Sequence, residues 1–304
     1  MTKPPRDIAT SVKAKLLLRA KERGEDFNLV LIRYLQERLL YRLSRSSHAD
    51  AFVLKGATLF TLWGGAPHRP TKDLDLLAYG DPDLERLRQV FIDICRTVVT
   101  DDGVAFDAEA TTVEPIREDA LYDGARVVLV ARVGKTTLKL QVDCGFGDAT
   151  VPPPQDVAFP TFLELPAPRL RAYAPETVVA EKLEAMVKLG MANSRMKDFF
   201  DLHYMRRTFS FDGERLVGAV RATFERRGTP LPRAVPLALS SEFAEDDLKR
   251  TQWTAFQKRV GEQRRPPALP LVVTDLRRFL EPVLEGCRSG SSPGSWSPGG
   301  PWSR

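Results

Sequence analysis

Two aspartates, Asp73 and Asp75, lie one residue apart in the stretch "RPTKDLDLL" at residues 69–77. Side chains at positions i and i+2 of a strand point to the same face, so the two carboxylates should project together while the neighbouring leucines enter the core. Carboxylates this close repel each other unless a cation lies between them. Oxygen ligands without nearby Cys or His favour magnesium, which often binds one or two carboxylates together with substrate phosphates. The pair therefore predicts a phosphate-transfer site, although a lone DxD can also mark a solvated strand end or a turn.

A third aspartate, Asp143, lies in "TTLKLQVDCGFG", where Leu138, Leu140 and Val142 alternate with polar residues. This period of two is typical of a half-buried antiparallel strand, with Asp143 on its polar face. If the strand joins the same sheet, three carboxylates could hold two metal ions and activate a hydroxyl for in-line attack at phosphorus.

The turn "LKGATLF" could bind phosphates. Gly56 at a helix start lets backbone N–H groups approach an anion, and Thr58 adds a hydroxyl donor. The alternative is a plain strand-to-helix turn. Arg69, shortly before Asp73, could steer a triphosphate or could simply be solvated.

The second half of the chain contains a lysine on an apolar helical stripe. In "PETVVAEKLEAMVKLG", Lys182 shares a face with Val178, Met186 and Leu189. A lysine in this position must either extend its ammonium to water or bind an anion.

The stretch "SRMKDFFDLHYM" predicts a helix that begins at the cap Ser194 and carries charged residues at helical spacing. Arg195, Asp198 and Asp201 follow i, i+3, i+6 spacing, and Lys197 could pair with Asp201 at i+4. These residues could form a surface salt-bridge ladder or could serve a functional site. His203 on the same helix is equally well interpreted as a packing residue.

Composition indicates a folded protein with an ordinary core. The chain has 304 residues, of which 43% are hydrophobic, enough for two domains or for one domain with an extension. No apolar run approaches the roughly 20 residues that span a bilayer, and no secretory apolar segment follows the basic start, so we expect no membrane association and a cytoplasmic location. Three widely spaced cysteines argue against a disulfide scaffold or a structural zinc site. The net charge of +5 permits a nucleic-acid partner but gives only weak support for one.

Local patterns predict the elements that position these residues. They indicate an amphipathic helix over residues 26–46, a helix capped by Asp81, and two strands joined by a turn at Gly134. Seven prolines between residues 151 and 175 predict an irregular connector and a domain boundary, followed by a mostly helical half. The Gly-, Ser- and Pro-rich stretch at residues 286–304 is expected to be disordered.

Taken together, five motifs resemble the AbiEii-type nucleotidyltransferase toxins, which include the MenT toxins of mycobacteria and belong to the polymerase-beta-like nucleotidyltransferase superfamily. The resemblance covers roughly residues 30 to 207 and rests, in order, on "LYRLSRSSHADAFVLKGATLF", "RPTKDLDLL", "LQVDCGFGD", "PETVVAEKLEAMVKLG" and "SRMKDFFDLHYM". It implies an α/β (α+β) nucleotidyltransferase fold with a mixed sheet flanked by helices. We expect an N-terminal helical segment (1–50), a nucleotidyltransferase core (51–165), a helical C-terminal domain (166–285) and the tail.

The resemblance also implies roles for individual residues. Asp73 and Asp75 would bind magnesium, two ions in all, and Asp143 would complete the metal site or serve as base. Lys182 and Asp198 match the catalytic lysine and aspartate of the family's second half. The residues expected to contact the nucleotide are Lys55, Gly56, Thr58, Arg69, Lys182, Arg195 and Lys197. One departure is Ala57, where the family often has a second glycine, and its methyl group could hinder the approach of a phosphate.

The function implied is magnesium-dependent transfer of a nucleoside monophosphate from an NTP to an acceptor hydroxyl, by the toxin of a bacterial toxin–antitoxin pair. The MenT members point to tRNA as the acceptor, and the family implies an antitoxin encoded nearby. Two alternatives stay open: a transferase that modifies protein hydroxyls, and a nucleotide-binding module that acts by sequestration.

Overall fold

The computed structural model describes residues 7–65, 68–116 and 124–303. Residues 1–6 of the predicted N-terminal segment and Arg304 of the predicted tail therefore lie outside the described residues. The chain divides into two compact units, which we call the first unit (Met1–Gly147 with Gln155–Ala172) and the second unit (Asp148–Pro154 with Tyr173–Arg304).

The first unit consists of a sheet with helices. Its elements are α1 (Ile8–Arg23), α2 (Phe27–Arg45), β1 (Phe52–Lys55), α3 (Leu59–Gly64), β2 (Asp73–Ala78), α4 (Leu84–Arg96), β3 (Val104–Ile116), β4 (Gly124–Val133), β5 (Thr136–Phe146), β6 (Gln155–Ala158) and β7 (Arg169–Ala172). Within the described residues, seven strands form one sheet in the order β3-β4-β5-β2-β1-β7-β6. The sheet is mixed, because β2 pairs parallel with β5 and antiparallel with β1. The predicted mixed α/β fold is thus confirmed.

The strongest local patterns of the first unit are also confirmed. Helix α2 begins after Asp26, whose side chain accepts a hydrogen bond from the N–H of Leu29 at 3.0 Å. Strands β4 and β5 form the predicted hairpin around Gly134, which has a φ of 59°. Helix α4, however, is capped by Asp83 and not by the predicted Asp81.

The proline-rich segment differs from its prediction as an irregular connector. Strand β7 pairs parallel with β1, and β6 pairs antiparallel with β7, so both extend the sheet. The prolines lie outside the two strands, where their missing N–H groups break no ladder hydrogen bond. As a result the first unit reaches Ala172, beyond the predicted boundary at residue 165.

The second unit is mostly helical, as expected. Its elements are α5 (Pro175–Leu189), α6 (Met196–Thr208), β8 (Phe211–Asp212), α7 (Gly213–Arg226), α8 (Ser241–Glu245), α9 (Asp247–Val260), α10 (Leu269–Ser289), β9 (Ser295–Trp296) and β10 (Trp302–Ser303). Helix α5 packs on α7, and α10 packs on both α6 and α7. Helix α6 has Arg195 at its N-cap position, one residue after the predicted cap Ser194. No helix in the described part of the chain is long and apolar enough to cross a membrane.

The C-terminal stretch that was predicted to be disordered is instead ordered through Ser303. Helix α10 continues to Ser289, and β9 then pairs with both β8 and β10. The reason is aromatic burial: Trp296 is only 2% exposed, and its indole N–H donates to the carbonyl of Arg206 at 2.7 Å. Composition alone predicts disorder, because Gly, Ser and Pro make up most of this stretch. The few tryptophans are nevertheless enough to order it.

A network of buried charged side chains connects α2 to the rest of the first unit. Both guanidinium nitrogens Nη1 and Nη2 of Arg42 bind the carboxylate of Asp102, at 2.7 and 3.0 Å. Glu37 is fully buried, lies 3.1 Å from Nε of Arg38, and accepts a hydrogen bond of 2.7 Å from the N–H of Phe162. Glu37 therefore joins the helix to the proline-rich segment.

The network predicts a pH dependence of stability. Burial raises the pKa of Glu37 to about 7, while the charge of Arg38 and the hydrogen bond from Phe162 oppose the shift. The folded protein then holds this proton more tightly than the unfolded chain, whose Glu pKa is near 4.5. The free energy of unfolding should thus fall as pH rises from about 4.5 to 7, by up to about 3 kcal/mol. Urea unfolding at several pH values measures this fall, which Glu37→Gln should remove.

The matched control is Glu22→Gln on the exposed side of α1, which should leave the wild-type pH dependence unchanged. A constant stability difference between wild type and Glu37→Gln across this range would show that Glu37 does not retain its proton in the folded state.

Candidate active site

A row of charged residues crosses the centre of the sheet in the first unit. Strand register places Lys55 of β1 opposite Asp75 of β2, Asp75 opposite Asp143 of β5, and Asp143 opposite Arg126 of β4. Directly opposed residues share a face, so the four side chains lie on the same side of the sheet. Asp73 joins them, because it precedes Asp75 by two positions on β2. The structure thus brings Asp73, Asp75 and Asp143 into one sheet, as the sequence predicted.

The alternation of β2 explains why the two carboxylates are less buried than the leucines next to them. Leu74 is fully buried and Leu76 is 1% exposed, whereas Asp73 and Asp75, which alternate with them, are only partly buried. The leucines anchor the strand in the core by apolar burial. The strand therefore presents its two carboxylates at the surface of a rigid element.

The Gly56 turn lies directly against this row. Gly56 has a φ of 73°, and a Cβ atom at this position would overlap the carboxylate of Asp75. Only glycine permits both the left-handed backbone and the close approach. The methyl of Ala57, which replaces a common family glycine, is buried and does not lie at the surface.

The hydroxyl of Thr58 is unsatisfied. The residue is 4% exposed, and within the described residues its Oγ1 has no hydrogen-bond partner. Native proteins seldom leave a buried hydroxyl unpaired. A donor of this kind beside a glycine turn fits the predicted binding of an anion.

The third carboxylate, that of Asp143, is bound by Arg126. Its Nε and Nη2 bind the two oxygens of Asp143 at 2.9 and 3.0 Å, and Gln141 donates to the same carboxylate at 3.3 Å. The hydrogen bond to Asp143 raises the pKa of Arg126, burial lowers it, and the charges of Asp143 and Asp73 raise it further. In the part of the chain that the structure describes, no three His, Cys, Asp or Glu side chains converge tightly enough to hold a metal. The role of Asp143 as a metal ligand therefore stays a prediction.

Sequence reasoning missed Arg126, although a signal for it exists. The hairpin turn at Gly134 sets the register of β4 against β5, and counting outward from Val133 and Thr136 places residue 126 opposite residue 143.

The second unit contains a separate cluster of buried charges. The ammonium of Lys182 on α5 lies 2.6 Å from Oδ1 of Asp198 and 2.8 Å from Oδ2 of Asp201, both on α6. Nε of Arg195 lies 2.7 Å from the other oxygen of Asp198. Both aspartates are fully buried. Lys182 and Asp198, which the resemblance paired by role, are in direct contact.

Ion pairing decides the charge state of Asp198. Burial by itself raises the pKa of this carboxyl, but the charges of Lys182 and Arg195 outweigh burial and lower the pKa below its usual value. Asp198 therefore stays ionised at neutral pH and can hold Lys182 and Arg195 in fixed positions.

The remaining candidates differ in exposure. Lys197 is exposed, whereas Asp201 is buried against Lys182 of α5. Arg195 and Asp198 form the i, i+3 pair that the spacing indicated, so part of the possible ladder is present. Arg69 is partly buried just before β2. His203 is buried, and burial together with the charge of Arg206 lowers its pKa to about 4, which agrees with its interpretation as a packing residue.

The contact between the Gly56 turn and Asp75 predicts that an alanine destabilises the protein more at Gly56 than at Gly65. Gly56→Ala should lower the free energy of unfolding by more than about 2 kcal/mol, because the added methyl strains the backbone and displaces Asp75. Gly65→Ala is the control, since Gly65 has a φ of 70° but open space around a built Cβ. That substitution should cost only the backbone term of about 1 kcal/mol. Urea unfolding of both variants measures the difference, and equal losses would contradict the contact with Asp75.

The Lys182 cluster predicts a strong dependence of stability on a single ammonium. Lys182→Met keeps the aliphatic stem but removes the ammonium that lies between two buried carboxylates, and it should destabilise the protein by about 3 to 5 kcal/mol. Lys188→Met on the exposed side of α5 should change stability by less than about 0.5 kcal/mol. Adding Asp198→Asn to Lys182→Met should restore part of the loss in chemical unfolding. A double variant less stable than Lys182→Met would show that charge burial is not the cause.

Comparison with known proteins assigns the fold. The sequence model of the family described as the nucleotidyl transferase AbiEii toxin of type IV toxin–antitoxin systems matches residues 38–280. A "putative nucleotidyltransferase" from H. pylori is 14% identical, over 88% of this chain and 99% of its own, with a TM-score of 0.51. The protein JHP933 from Helicobacter pylori is 13% identical, over 87% of this chain and 95% of its own, with a TM-score of 0.50.

At this level of identity the two solved structures show a shared fold alone. No curated protein matches the sequence. The family match, by contrast, spans most of the chain, including every residue predicted for the site. The chain therefore belongs to the AbiEii family of type IV toxin–antitoxin nucleotidyltransferases and is itself a nucleotidyltransferase.

Proposed function

We propose that this toxin transfers a nucleoside monophosphate from an NTP to a hydroxyl of tRNA, with magnesium as the metal and pyrophosphate as the leaving group. The observation that carries the proposal is the position of Asp73 and Asp75, side by side on one face of β2. The Gly56 turn lies in contact with the second of these carboxylates. A carboxylate pair next to a glycine turn supports chemistry at phosphorus.

The donor atoms of the site fit magnesium. Asp73 and Asp75 are partly exposed and offer hard carboxylate oxygens, the ligands that magnesium prefers. When bound, the metal would supply neutralising charge for the phosphates and for the attacking oxygen. A second ion would require Asp143, whose oxygens Arg126 would first have to release.

The chain's own groups would bind and orient the phosphates. The backbone of Gly56 permits close approach, and the hydroxyl of Thr58 would donate to a phosphate oxygen and so gain a partner. By the family resemblance, Lys182 would neutralise the charge that develops on the phosphate, with Asp198 as its positioning residue. The acceptor oxygen would bond to the α-phosphorus as the bond to pyrophosphate breaks, and its proton would pass to a base such as Asp143.

Two observations support RNA as the acceptor. The chain carries a net charge of +5, which favours a polyanion, and the resemblance to MenT toxins points to tRNA. An antitoxin partner follows from the toxin–antitoxin family. A tRNA acceptor would place the reaction in the cytoplasm.

The proposal predicts label transfer that depends on Asp75. The protein is incubated with magnesium, total bacterial tRNA and each of the four α-labelled NTPs in turn. Asp75→Asn keeps the side-chain shape but removes the charge, so transfer to RNA should fall by about 100-fold or more. The control is Asp81→Asn, an exposed aspartate shortly after β2, which should retain full activity.

Each other outcome leads to a different function. Label in protein and not in RNA would replace tRNA with a protein hydroxyl as the acceptor. NTP binding without transfer, together with unchanged toxicity of Asp75→Asn, would identify a sequestering module and overturn the proposal.

A further inference from the structure

The ordered tail and α10 border an open cavity of about 700 Å³ within the second unit. Its volume lies in the range of ligand-binding pockets. The cavity is lined by Arg206, Arg277, Arg278, Glu281, Pro282, Glu285, Arg288, Trp296, Gly299, Gly300, Pro301 and Trp302. Most of these residues lie beyond residue 280, where the family match ends. The family's shared reaction therefore does not account for the cavity, which we call the tail pocket.

The described lining of the tail pocket is rich in arginine. Arg277 binds Glu281 at 2.9 Å, Arg206 binds Asp275 at 3.0 Å, and Arg288 binds Glu285 at 2.5 Å. Arg278 is exposed and, among the described residues, forms no ion pair. Burial lowers the pKa of Arg206, Asp275 opposes this, and the like charges of Arg207 and Arg278 lower the pKa further. The charge that Arg278 adds to these paired arginines favours an anionic ligand.

A rigid aromatic surface lies beside these cations. The indole N–H of Trp302 donates to the carbonyl of Phe279 at 2.9 Å, and the two rings stack with centroids 5.8 Å apart. Trp302 is nevertheless partly exposed in the pocket. Gly300 lies so close to Trp296 that a Cβ atom would overlap its ring, so the turn between β9 and β10 requires glycine there. The indole of Trp302 is thus held in place before any ligand binds.

We propose that the tail pocket binds a single-stranded segment of the RNA acceptor. Arg277 and Arg278 would bind phosphates, and an unpaired base would stack on Trp302. Glu281 and Glu285 would accept hydrogen bonds from ribose hydroxyls or base amino groups, donors that an acidic peptide side chain lacks. This inference rests on the proposed function, because it takes RNA as the acceptor.

Binding of a fluorescently labelled single-stranded RNA of about 12 nucleotides tests the inference. Anisotropy of the full chain is measured over a range of salt concentrations. Arg277→Ala/Arg278→Ala should weaken binding by about 10-fold or more and reduce the salt slope by about 1.4, which is about 0.7 for each phosphate contact on a single strand. The matched control is Arg264→Ala/Arg265→Ala, which also removes two adjacent exposed arginines, one of them paired with a glutamate. It should change neither quantity.

A second variant tests the aromatic contact. Trp302→Leu should weaken RNA binding by about 10-fold without a change in the salt slope, because it removes stacking and no charge. Thermal melting and circular dichroism confirm that the variant is folded. A folded Trp302→Leu that binds RNA like wild type would overturn base stacking in the pocket.

The remaining outcomes separate this inference from the proposed function. Equal loss of binding in both double-arginine variants, no RNA binding by wild type, or equally tight binding of poly-glutamate would each overturn the inference. If wild type labels tRNA and Arg277→Ala/Arg278→Ala labels it equally well, the proposed function holds and the inference fails. If RNA binding depends on the pocket but no label enters RNA, the pocket is an RNA-binding site, while the proposed transfer to tRNA and the role of the bound RNA as acceptor both fail.

Discussion

The pairing of Asp75 with Asp143 across parallel strands β2 and β5 is the constraint on which the site depends. Two carboxylates at directly opposed positions destabilise a sheet unless cations compensate them. The same row of the sheet supplies them, with Arg126 opposite Asp143 and Lys55 opposite Asp75. The repulsion between the two carboxylates is thus offset by cations of the same sheet. The Gly56 turn can approach Asp75 closely because glycine has no side chain that would overlap the carboxylate.

In the second unit, too, cations compensate neighbouring carboxylates, but there the carboxylates are fully buried. Asp198 and Asp201 are fully buried, so their charges need direct partners, and Lys182 and Arg195 supply them. The ion pairs hold the long side chains of Lys182 and Arg195 in defined positions. A fixed position is what a side chain that binds a phosphate requires. Each unit therefore carries its own compensated set of charges on rigid elements, strands in one case and helices in the other.

The tail shows how a few side chains can override composition. Trp296 and Trp302 pack against Phe279 of α10, and their indole N–H groups reach backbone carbonyls of Arg206 and Phe279. These contacts supply the apolar burial that the surrounding Gly, Ser and Pro residues cannot. The result is a pocket added to the end of a family scaffold.

The sequence by itself determined the elements whose signals are local: the bounds of α2, the β4–β5 hairpin and the alternation of β2. Together with the family resemblance, it also identified Asp73, Asp75, Lys182 and Asp198 as candidates. Only the tertiary structure decided that β2 lies beside β5, that Arg126 binds Asp143, and that Asp201 faces Lys182 instead of Lys197. The physical reason is range. Hydrophobic periodicity and caps act within a few residues, whereas the register of distant strands and the contacts between helices depend on how the whole core packs.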